Sequence, residues 1–266
     1  MSSPTNAPKP QAFESGEPSD IGRNNIAAAY DAIAADYDAQ LAPAHWIRER
    51  LWDNIDDIFP AKSRILDVTA GTGLDILHLI ERRMSVIACD ISPHMLDLLQ
   101  RKHPDVRVVV SDFSHLALTG EFDGIISTFA GLNTSSNLRS FAEQAARLLR
   151  PGGILFIHLL NRWPVFDIIR RIVSLRWRDA WNTIMINPRK VSLGKVLVLH
   201  YLYSPKSLYC SVFARHFRLN RIEGYGCVRP LHAKWGKAVD GLEKRLASRF
   251  PFHSTGIFFS LELIRV

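Results

Sequence analysis

A glycine-containing turn after a short apolar run is the first feature of the chain that could do chemistry. In the stretch RILDVTAGTGLD, residues 64–75, an acid ends the apolar run and two glycines follow within six residues. Glycines at this spacing let the backbone approach a ligand closely. A helix beginning at Leu74 would offer free N–H groups to whatever binds there. The stretch therefore predicts a ligand site.

The residues that follow the turn favour one kind of ligand. A dinucleotide fingerprint would need a third glycine at position 76, which is Ile76, so hydride transfer with a nicotinamide cofactor is the weaker interpretation. Asp90 lies seventeen residues past Gly73, where an acid can accept hydrogen bonds from both hydroxyls of a ribose. Asp112 could accept from an adenine amino group, and the ring of Phe113 could cover the face of the base. Their order and spacing together predict a nucleoside-containing ligand.

Strands that alternate with helices must position these residues. Such alternation implies parallel strands joined by right-handed crossovers, hence an open α/β sheet. In such sheets ligands bind beyond the carboxyl ends of the strands, where the strand order reverses. The predicted strands are 64–68, 85–90, 106–111, 122–128 and 153–159, and the predicted helices are 74–83, 93–102 and 138–149.

The composition is that of a globular chain of 266 residues, with 47% hydrophobic and 22% charged residues. No apolar run approaches the roughly 18 residues that would suggest a membrane span. Residues 1–22, rich in Pro, Ser and acids, predict a disordered tail before one domain over 23–266. Cys89, Cys210 and Cys227 are far apart without a CxxC pair, so we expect no disulfide framework, no metal site and a reducing cytoplasm.

Charge is unevenly placed along the chain. Residues 1–161 hold 14 Lys and Arg against 20 Asp and Glu, a balance of −6, whereas residues 162–266 hold 19 against 6, a balance of +13. This asymmetry is compatible with an anionic substrate, a lipid surface or a nucleic acid, and charge alone does not choose among them.

Five segments occur in the order of the motifs of a known family. They are RILDVTAGTGLD (64–75), VIACDISPHML (86–96), VVVSDF (108–113), FDGIISTFAGLN (122–133) and LLRPGGILFI (148–157). Together they resemble the successive motifs of class I S-adenosylmethionine-dependent methyltransferases.

The segments outside these motifs refine the resemblance. AAYDAIAADYD (28–38) resembles the first helix of the small-molecule branch, methyltransferase type 11, which includes quinone-biosynthesis enzymes. The specific resemblance covers roughly residues 24–161. Residues 217–226 and 256–266 are similar, more loosely, to the antiparallel strand pair that closes this fold.

The resemblance implies a Rossmann-like fold: a seven-stranded, mostly parallel sheet with helices on both faces and a capping insertion, here residues 162–203. It implies S-adenosylmethionine as cofactor and S-adenosylhomocysteine as product. Carried over position by position, it implies cofactor contacts at Tyr37, Asp67, Thr69, Ala70, Gly71, Gly73, Asp90, Ile91, Met95, Asp112, Phe113, Thr128 and Phe129.

Two of these positions have alternative interpretations. Thr69 stands where the family usually has glycine, so its side chain could narrow the space beside the methionine part of the cofactor, or its hydroxyl could bind the carboxylate. Tyr30 and Tyr37 are spaced i and i+7 on the first helix. Both tyrosines could pack on the core, or Tyr37 could close over the sulfonium end of the pocket.

Methyl transfer is an in-line displacement at a carbon that the sulfonium charge already activates, so the protein mainly aligns the acceptor and excludes water. An acceptor hydroxyl could still need a base. His158, at the end of the fifth strand, is the candidate base, and its alternative is a buried histidine satisfied by a carbonyl. Asn133, in the loop after the fourth strand, could position an acceptor but cannot take its proton.

The capping insertion begins with residues 162–181, which predict one amphipathic helix. One face is formed by Val165, Ile168, Ile169, Ile172 and Leu175. The opposite face carries Arg170, Arg171 and Arg178, and Arg176 interrupts the apolar face. The helix could be a lid packed on the domain. It could also rest on anionic lipid headgroups and hand an amphipathic acceptor to the cofactor, and both interpretations can hold at once.

Alternative functions remain open. An RNA-directed methyltransferase would explain the basic C-terminal half, but residues 127–133 read STFAGLN instead of the Asp/Asn-Pro-Pro-aromatic motif of base amino methylases. Thr69 leaves open an inactive S-adenosylmethionine-binding protein. A lipid-surface module would leave the cofactor motifs unexplained. We predict a cytoplasmic methyltransferase for a small hydrophobic or amphipathic acceptor, with transfer to oxygen favoured over nitrogen or carbon, membrane-surface contact through 162–181 and no nucleic-acid partner.

Overall fold

The computed structural model describes residues 20–193, 196–227 and 240–264. Residues 1–19 of the predicted tail therefore lie outside the described residues, whereas its residues 20–22 are helical. The helices are α1 Asp20–Ile33, α2 Tyr37–Leu41, α3 His45–Ile58, α4 Ile76–Glu81, α5 Pro93–Lys102, α6 Arg139–Leu148, α7 Val165–Val173, α8 Trp177–Met185, α9 Pro205–Leu208 and α10 Asp240–Arg249. The strands are β1 Arg64–Asp67, β2 Ser85–Asp90, β3 Arg107–Val110, β4 Phe122–Ser127, β5 Leu149–Leu160, β6 Arg189–Leu193, β7 Val196–His200, β8 Phe217–Tyr225 and β9 Gly256–Leu263.

The main sheet contains seven strands in the order β3-β2-β1-β4-β5-β9-β8. Strands β1 to β5 are parallel, and β9 is antiparallel to both β5 and β8. The predicted fold class is confirmed, including the closing antiparallel pair. The strand order reverses between β1 and β4, so the crevice expected to hold a ligand lies at their carboxyl ends.

Both faces of the sheet are covered, as expected for buried parallel strands. Neighbouring residues of β1 enter different clusters because side chains alternate along a strand. Ile65 belongs to the cluster that contains Leu51 and Ile55 of α3, while Leu66 belongs to the cluster that contains Phe141 of α6. The sheet thus positions the ends of β1, β2, β4 and β5 rigidly around one crevice.

The capping insertion differs from the sequence prediction in one respect. The single helix predicted over 162–181 is wrong, because the chain forms α7 and α8 with a break between them. Leu175 lies in the left-handed region with φ of +56°. Its N–H bonds to Ile172 O at 3.0 Å and that of Arg176 to Arg171 O at 2.8 Å, the pattern of a Schellman motif that ends α7. Strands β6 and β7 then pair as a separate antiparallel hairpin.

Gly124→Ala is expected to lower the free energy of unfolding by about 1–3 kcal/mol, because the added Cβ overpacks the core. That atom would lie 2.3 Å from Phe59 Cε1 and 2.8 Å from Ile65 Cδ1. Urea unfolding measures the change. The control is Gly241→Ala in α10, where a Cβ meets nothing within 4 Å and helix propensity predicts a gain of about 0.5–1 kcal/mol. Equal stability of Gly124→Ala and the parent protein would contradict this packing.

Candidate active site

The glycine turn between β1 and α4 lies at the reversal of strand order. Gly71 has φ of +53° and Gly73 of +81°, a region that glycine adopts at no steric cost. A side chain at Gly73 would also place its Cβ 2.7 Å from Leu99 Cγ. Ala70 donates its N–H to Cys89 O at 2.9 Å, which ties the turn to β2. The shape of the turn therefore requires glycine at these two positions.

Asp90, the last residue of β2, lies directly against this turn. Its Oδ2 accepts the N–H of Gly71 at 2.9 Å, and its Oδ1 accepts that of Ser92 at 2.9 Å. Burial raises the pKa of Asp90 above its ordinary value. Each carboxylate oxygen keeps a second lone pair for a ligand hydroxyl. The acid predicted to bind a ribose is thus adjacent to the glycine turn.

The segment formed by α1 and α2 covers the turn. The Cε1 atom of Tyr37 lies 3.6 Å from the position that a Cβ of Gly71 would take. The Tyr37 ring contacts that of Tyr30 edge-on, with 6.3 Å between centroids. Asp38 accepts hydrogen bonds from Thr72 Oγ1 and Lys102 Nζ. Tyr37 is therefore partly buried, packs beside Ile33 and Met95, and lies over the glycine turn.

Buried acids converge on the same crevice. Asp75 accepts hydrogen bonds from Trp52 Nε1 and Thr128 Oγ1, both at 2.9 Å, and it forms an ion pair with Arg48. Asp67 is 1% exposed. Burial, and secondarily the carboxylate of Asp75, raise the pKa of Asp67 well above its ordinary value. A bound cation would stabilise the ionised form of Asp67.

Thr69 occupies the gap between the ends of β1 and β4. Its Oγ1 lies 2.8 Å from Ser127 Oγ in a hydrogen bond, and its N–H bonds to Asp67 Oδ1 at 3.1 Å. A Cβ added to Gly131 would lie 2.6 Å from the Cβ of Thr69. The threonine is thus accommodated by a glycine in the loop after β4, and its hydroxyl binds Ser127.

Largely buried aromatic residues cluster beside the turn, at the ends of β4 and β5, and we call this cluster the aromatic chamber. His158 is 2% exposed, and its Nε2 forms a hydrogen bond with Tyr225 Oη. The ring of Phe129 meets His158 edge-on at 5.9 Å, and Arg48 Cζ lies 4.0 Å from the centroid of Phe129. Burial, and then the charge of Arg48, lower the pKa of His158 to about 3. Its Nδ1 is buried without a hydrogen-bond partner among the described residues.

Left-handed backbone presents Phe129 to this chamber. Phe129 has φ of +49° and the following Ala130 of +63°. Two consecutive left-handed residues without glycine are uncommon, and such strain concentrates at functional sites. Thr128, just before them, is held by its bond to Asp75. The loop after β4 is thus anchored on one side and turned sharply toward His158.

Asn133 has a different environment from the one predicted. Its Oδ1 accepts the N–H of Leu160 at 3.0 Å, and its Nδ2 donates to Tyr201 O at 2.6 Å. Its own carbonyl accepts the N–H of Tyr201 at 2.7 Å. Because both ends of the amide bind backbone, this side chain joins β5 to the insertion. We therefore leave Asn133 out of the site that binds an acceptor.

The predicted adenine side lies at the ends of β2 and β3. Asp112 Oδ1 accepts from the N–H and Oγ of Ser114, at 2.7 and 2.6 Å. Phe113 packs edge-on against Phe141, with 5.7 Å between centroids. Ile91 follows β2 at intermediate exposure, and Met95 is buried on α5. Asp112 and Phe113 thus already have partners within the protein.

Three residues of the site were not predicted from the sequence. Arg48 belongs to no motif, and Tyr225 lies in the closing strand, far from His158 in sequence. Asp75 ends the stretch RILDVTAGTGLD, and an acid at that position is typical of the first residue of a helix. Its burial could have been inferred only from its position beside the turn.

Two further findings concern other parts of the described chain. Among the described residues, no three His, Cys, Asp or Glu side chains are grouped as a metal site. No helix within that same part of the chain is long and apolar enough to cross a membrane.

Comparisons with known proteins agree with this geometry. Residues 65–153 match the family described as Methyltransferase domain. Demethylmenaquinone methyltransferase of Beutenbergia cavernae is 30% identical over 152 residues, which cover 55% of this chain and 63% of that protein. The bifunctional biotin biosynthesis protein BioHC of Cellvibrio japonicus is 25% identical over 171 residues, 63% of this chain and 32% of that protein. The matched regions thus span less than two thirds of either relative.

Solved structures share the fold. One is 1,6-didemethyltoxoflavin-N1-methyltransferase of Burkholderia thailandensis with bound 1,6-didemethyltoxoflavin and S-adenosylhomocysteine. It has a TM-score of 0.59 and 17% identity, and the match covers 96% of this chain and 94% of that protein. An S-adenosylmethionine-dependent methyltransferase from Mesorhizobium loti has a TM-score of 0.56 and 14% identity, and the match covers 79% of this chain and 96% of that protein. These comparisons bear out the resemblance, since residues 65–153 match a methyltransferase domain and the chain shares the fold of these two S-adenosylmethionine-dependent or S-adenosylhomocysteine-bound methyltransferases.

Asp67→Asn is expected to flatten the fall of stability with rising pH. The folded-state pKa of Asp67 is raised above its unfolded value of 3.8, so the folded state binds more protons between the two values. Stability from this group is therefore present at low pH and lost as pH rises above about 4. The slopes of the free energy of unfolding against pH should differ between variant and parent by at most about 1.4 kcal/mol per pH unit. Urea unfolding at a series of pH values measures them.

Asp123→Asn provides a control with the opposite sign. The N–H of Arg64 and, after it, Arg150 lower the pKa of Asp123, so this group contributes stability above its unfolded pKa and loses it as pH falls. A parallel pH dependence of parent and Asp67→Asn would contradict the buried, raised carboxyl.

Proposed function

We propose that this protein transfers the methyl group of S-adenosylmethionine to a small hydrophobic or amphipathic acceptor that binds in the aromatic chamber. One observation carries the proposal. A buried His158–Tyr225 pair lies beside Phe129 and Arg48, and Arg48 in turn binds Asp75 next to the glycine turn. The turn and the chamber are thereby adjacent, as displacement between two bound molecules requires.

The chemistry of the crevice supports the cofactor. S-adenosylmethionine, when bound, supplies a methyl group activated by a sulfonium cation. Asp67 and Asp75 are buried acids that favour its cationic end, and Asp90 would accept from the ribose hydroxyls. Gly71 and Gly73 would let the backbone approach the ligand. Ala70, Ile91, Met95, Asp112, Phe113, Thr128 and Phe129 would contact the remaining parts, with Tyr37 above and Thr69 at the methionine end.

The base would be His158, acting with Tyr225. Because its pKa is lowered to about 3, the imidazole is neutral, and the negative charge that develops on the acceptor would raise its affinity for the proton. The acceptor hydroxyl would give its proton to this pair. Its oxygen would then form the bond to the methyl carbon as the carbon–sulfur bond breaks toward sulfur. The guanidinium of Arg48 would stabilise the negative charge that develops on the acceptor.

A hydroxylated ring, such as a phenol or a reduced quinone, is the acceptor that this chamber would suit. Aromatic walls at Phe129 and Phe258 favour a planar apolar molecule. Relatives named demethylmenaquinone methyltransferases support a quinone-like acceptor. We keep transfer to oxygen as the first choice. Transfer to a ring carbon would need the same removal of a hydroxyl proton, so the chamber serves either outcome.

The surface at residues 162–181 concerns where the acceptor comes from. We propose that the protein acts in the cytoplasm and meets a membrane through this segment, where amphipathic acceptors concentrate. Exposed tryptophans at Trp177 and Trp181 support that contact.

His158→Gln should slow methyl transfer by roughly 10²–10⁴-fold, because it removes the proton acceptor. The assay follows transfer of labelled methyl from S-adenosylmethionine to a panel of phenols and reduced naphthoquinones, with mass spectrometry to locate the methyl group. The affinity for S-adenosylhomocysteine should stay unchanged. His253→Gln, at an exposed histidine, is the control and should retain activity. Full activity of His158→Gln would remove His158 as base. Absence of transfer to any acceptor, with cofactor bound, would favour the inactive binding protein.

A further inference from the structure

The insertion carries a concentration of exposed apolar side chains. Among the described residues, 17 large hydrophobic side chains are exposed, and 10 of them lie between positions 163 and 199. We call this surface the insertion face. Its members are Trp163, Ile169, Val173, Leu175, Trp177, Trp181, Met185, Ile186, Leu197 and Leu199.

The helix α8 shows that this exposure is directional. Trp177, Trp181 and Met185 follow at i, i+4 and i+8, so they form one stripe, and they are 60%, 63% and 58% exposed. Ala180 and Thr183, on the opposite side, are buried. The helix is therefore already docked on the protein through its other side, and the tryptophan stripe faces outward.

The helix α7 and the turn after it extend the same feature. Ile169 and Val173 are spaced i and i+4 and are 51% and 76% exposed, and no residue of α7 is buried. Leu175, at the left-handed position between the helices, is 76% exposed. Phe166 of α7 packs against Phe250, with 6.2 Å between centroids, so the apolar side of this amphipathic helix is only partly covered within the described chain.

Positive charge surrounds these apolar residues. Residues 162–193 contain seven Lys and Arg against two acids, Asp167 and Asp179. Asp167 pairs with Arg170 and Arg171, and Asp179 with Arg176. The acids are thus neutralised by neighbouring arginines, while Arg178 and Lys190 are exposed. The net charge of this segment is positive.

We propose that the insertion face docks on an anionic lipid bilayer, with Val173, Leu175, Trp177 and Trp181 at the level of the headgroups and upper acyl chains. Tryptophan next to arginine and lysine is the composition of interfacial membrane helices. Two copies of the chain meeting through this face would bring like charges together. Nucleic acid would engage the arginines and leave the apolar stripe in water.

The position of the insertion connects this docking to the chamber. The insertion begins four residues after His158, and its two ends are joined because Arg162 donates its N–H to Tyr203 O at 2.9 Å. The further claim, which rests on the proposed function, is that the acceptor is a membrane-partitioned molecule that enters beside this face. Docking itself requires neither cofactor nor acceptor.

Flotation with lipid vesicles tests the docking. The full-length protein should float with vesicles of phosphatidylglycerol and phosphatidylcholine and much less with phosphatidylcholine alone, and added salt should weaken the binding. Trp181→Glu and Leu175→Glu should each lower binding at least tenfold. The control is Leu77→Glu, which places the same charge at an apolar residue of α4 that is 54% exposed and should bind like the parent.

Several results would overturn the proposal. One is a parent protein that fails to float with vesicles of either composition, and another is a parent protein that floats equally with both. The third such result is that Trp181→Glu and Leu175→Glu float as well as the parent. A parent dimer in light scattering that Trp181→Glu dissociates, without vesicle binding, would assign the face to a second copy instead. Titration of the same variants with S-adenosylhomocysteine separates this result from the proposed function. Lost flotation of the face variants with normal cofactor affinity supports docking, and a parent protein that floats but does not bind S-adenosylhomocysteine contradicts only the enzyme assignment.

Discussion

The burial of acids around one glycine turn is the constraint on which the rest of this structure depends. Asp67 ends β1, Asp75 follows the turn and Asp90 ends β2. Asp67 and Asp75 are buried and Asp90 is partly buried, and removal from water is costly for each ionised carboxylate. Asp90 is stabilised by backbone N–H groups, and Asp75 by Arg48, Trp52 and Thr128. Asp67 has the weakest support, and its raised pKa records that cost. A cationic ligand would offset it.

Arg48 connects this acid cluster to the chamber. It pairs with Asp75 on one side and stacks over Phe129 on the other, and its charge contributes to the low pKa of His158. The same guanidinium therefore couples the cofactor side of the crevice to the acceptor side. A neutral, buried imidazole hydrogen-bonded to Tyr225 is compatible with a reaction in which alignment and exclusion of water supply most of the acceleration.

Local patterns predicted the sheet and the turn, because strand periodicity and glycine spacing act within a few residues. Asp67, Gly71, Gly73 and Asp90 lie together as their spacing indicated. Contacts between distant segments were not predictable in the same way. Arg48 meets Asp75 across 27 residues and His158 meets Tyr225 across 67, and neither pair has a local signature. The apolar residues keep helical spacing on both sides of Leu175, so the sequence predicted one helix there. The Schellman motif that ends α7 contains no glycine and therefore left no sign in the sequence.

Calorimetric titration with S-adenosylhomocysteine tests the central claim, that the acid-lined turn holds this cofactor, most directly. The parent protein should bind the nucleoside with micromolar affinity and should not bind NADH. Asp90→Asn should weaken binding by about 1.5–3 kcal/mol, since one charge-assisted acceptor of the ribose is lost. Absence of binding by the parent, or equal affinity of parent and Asp90→Asn, would contradict the account.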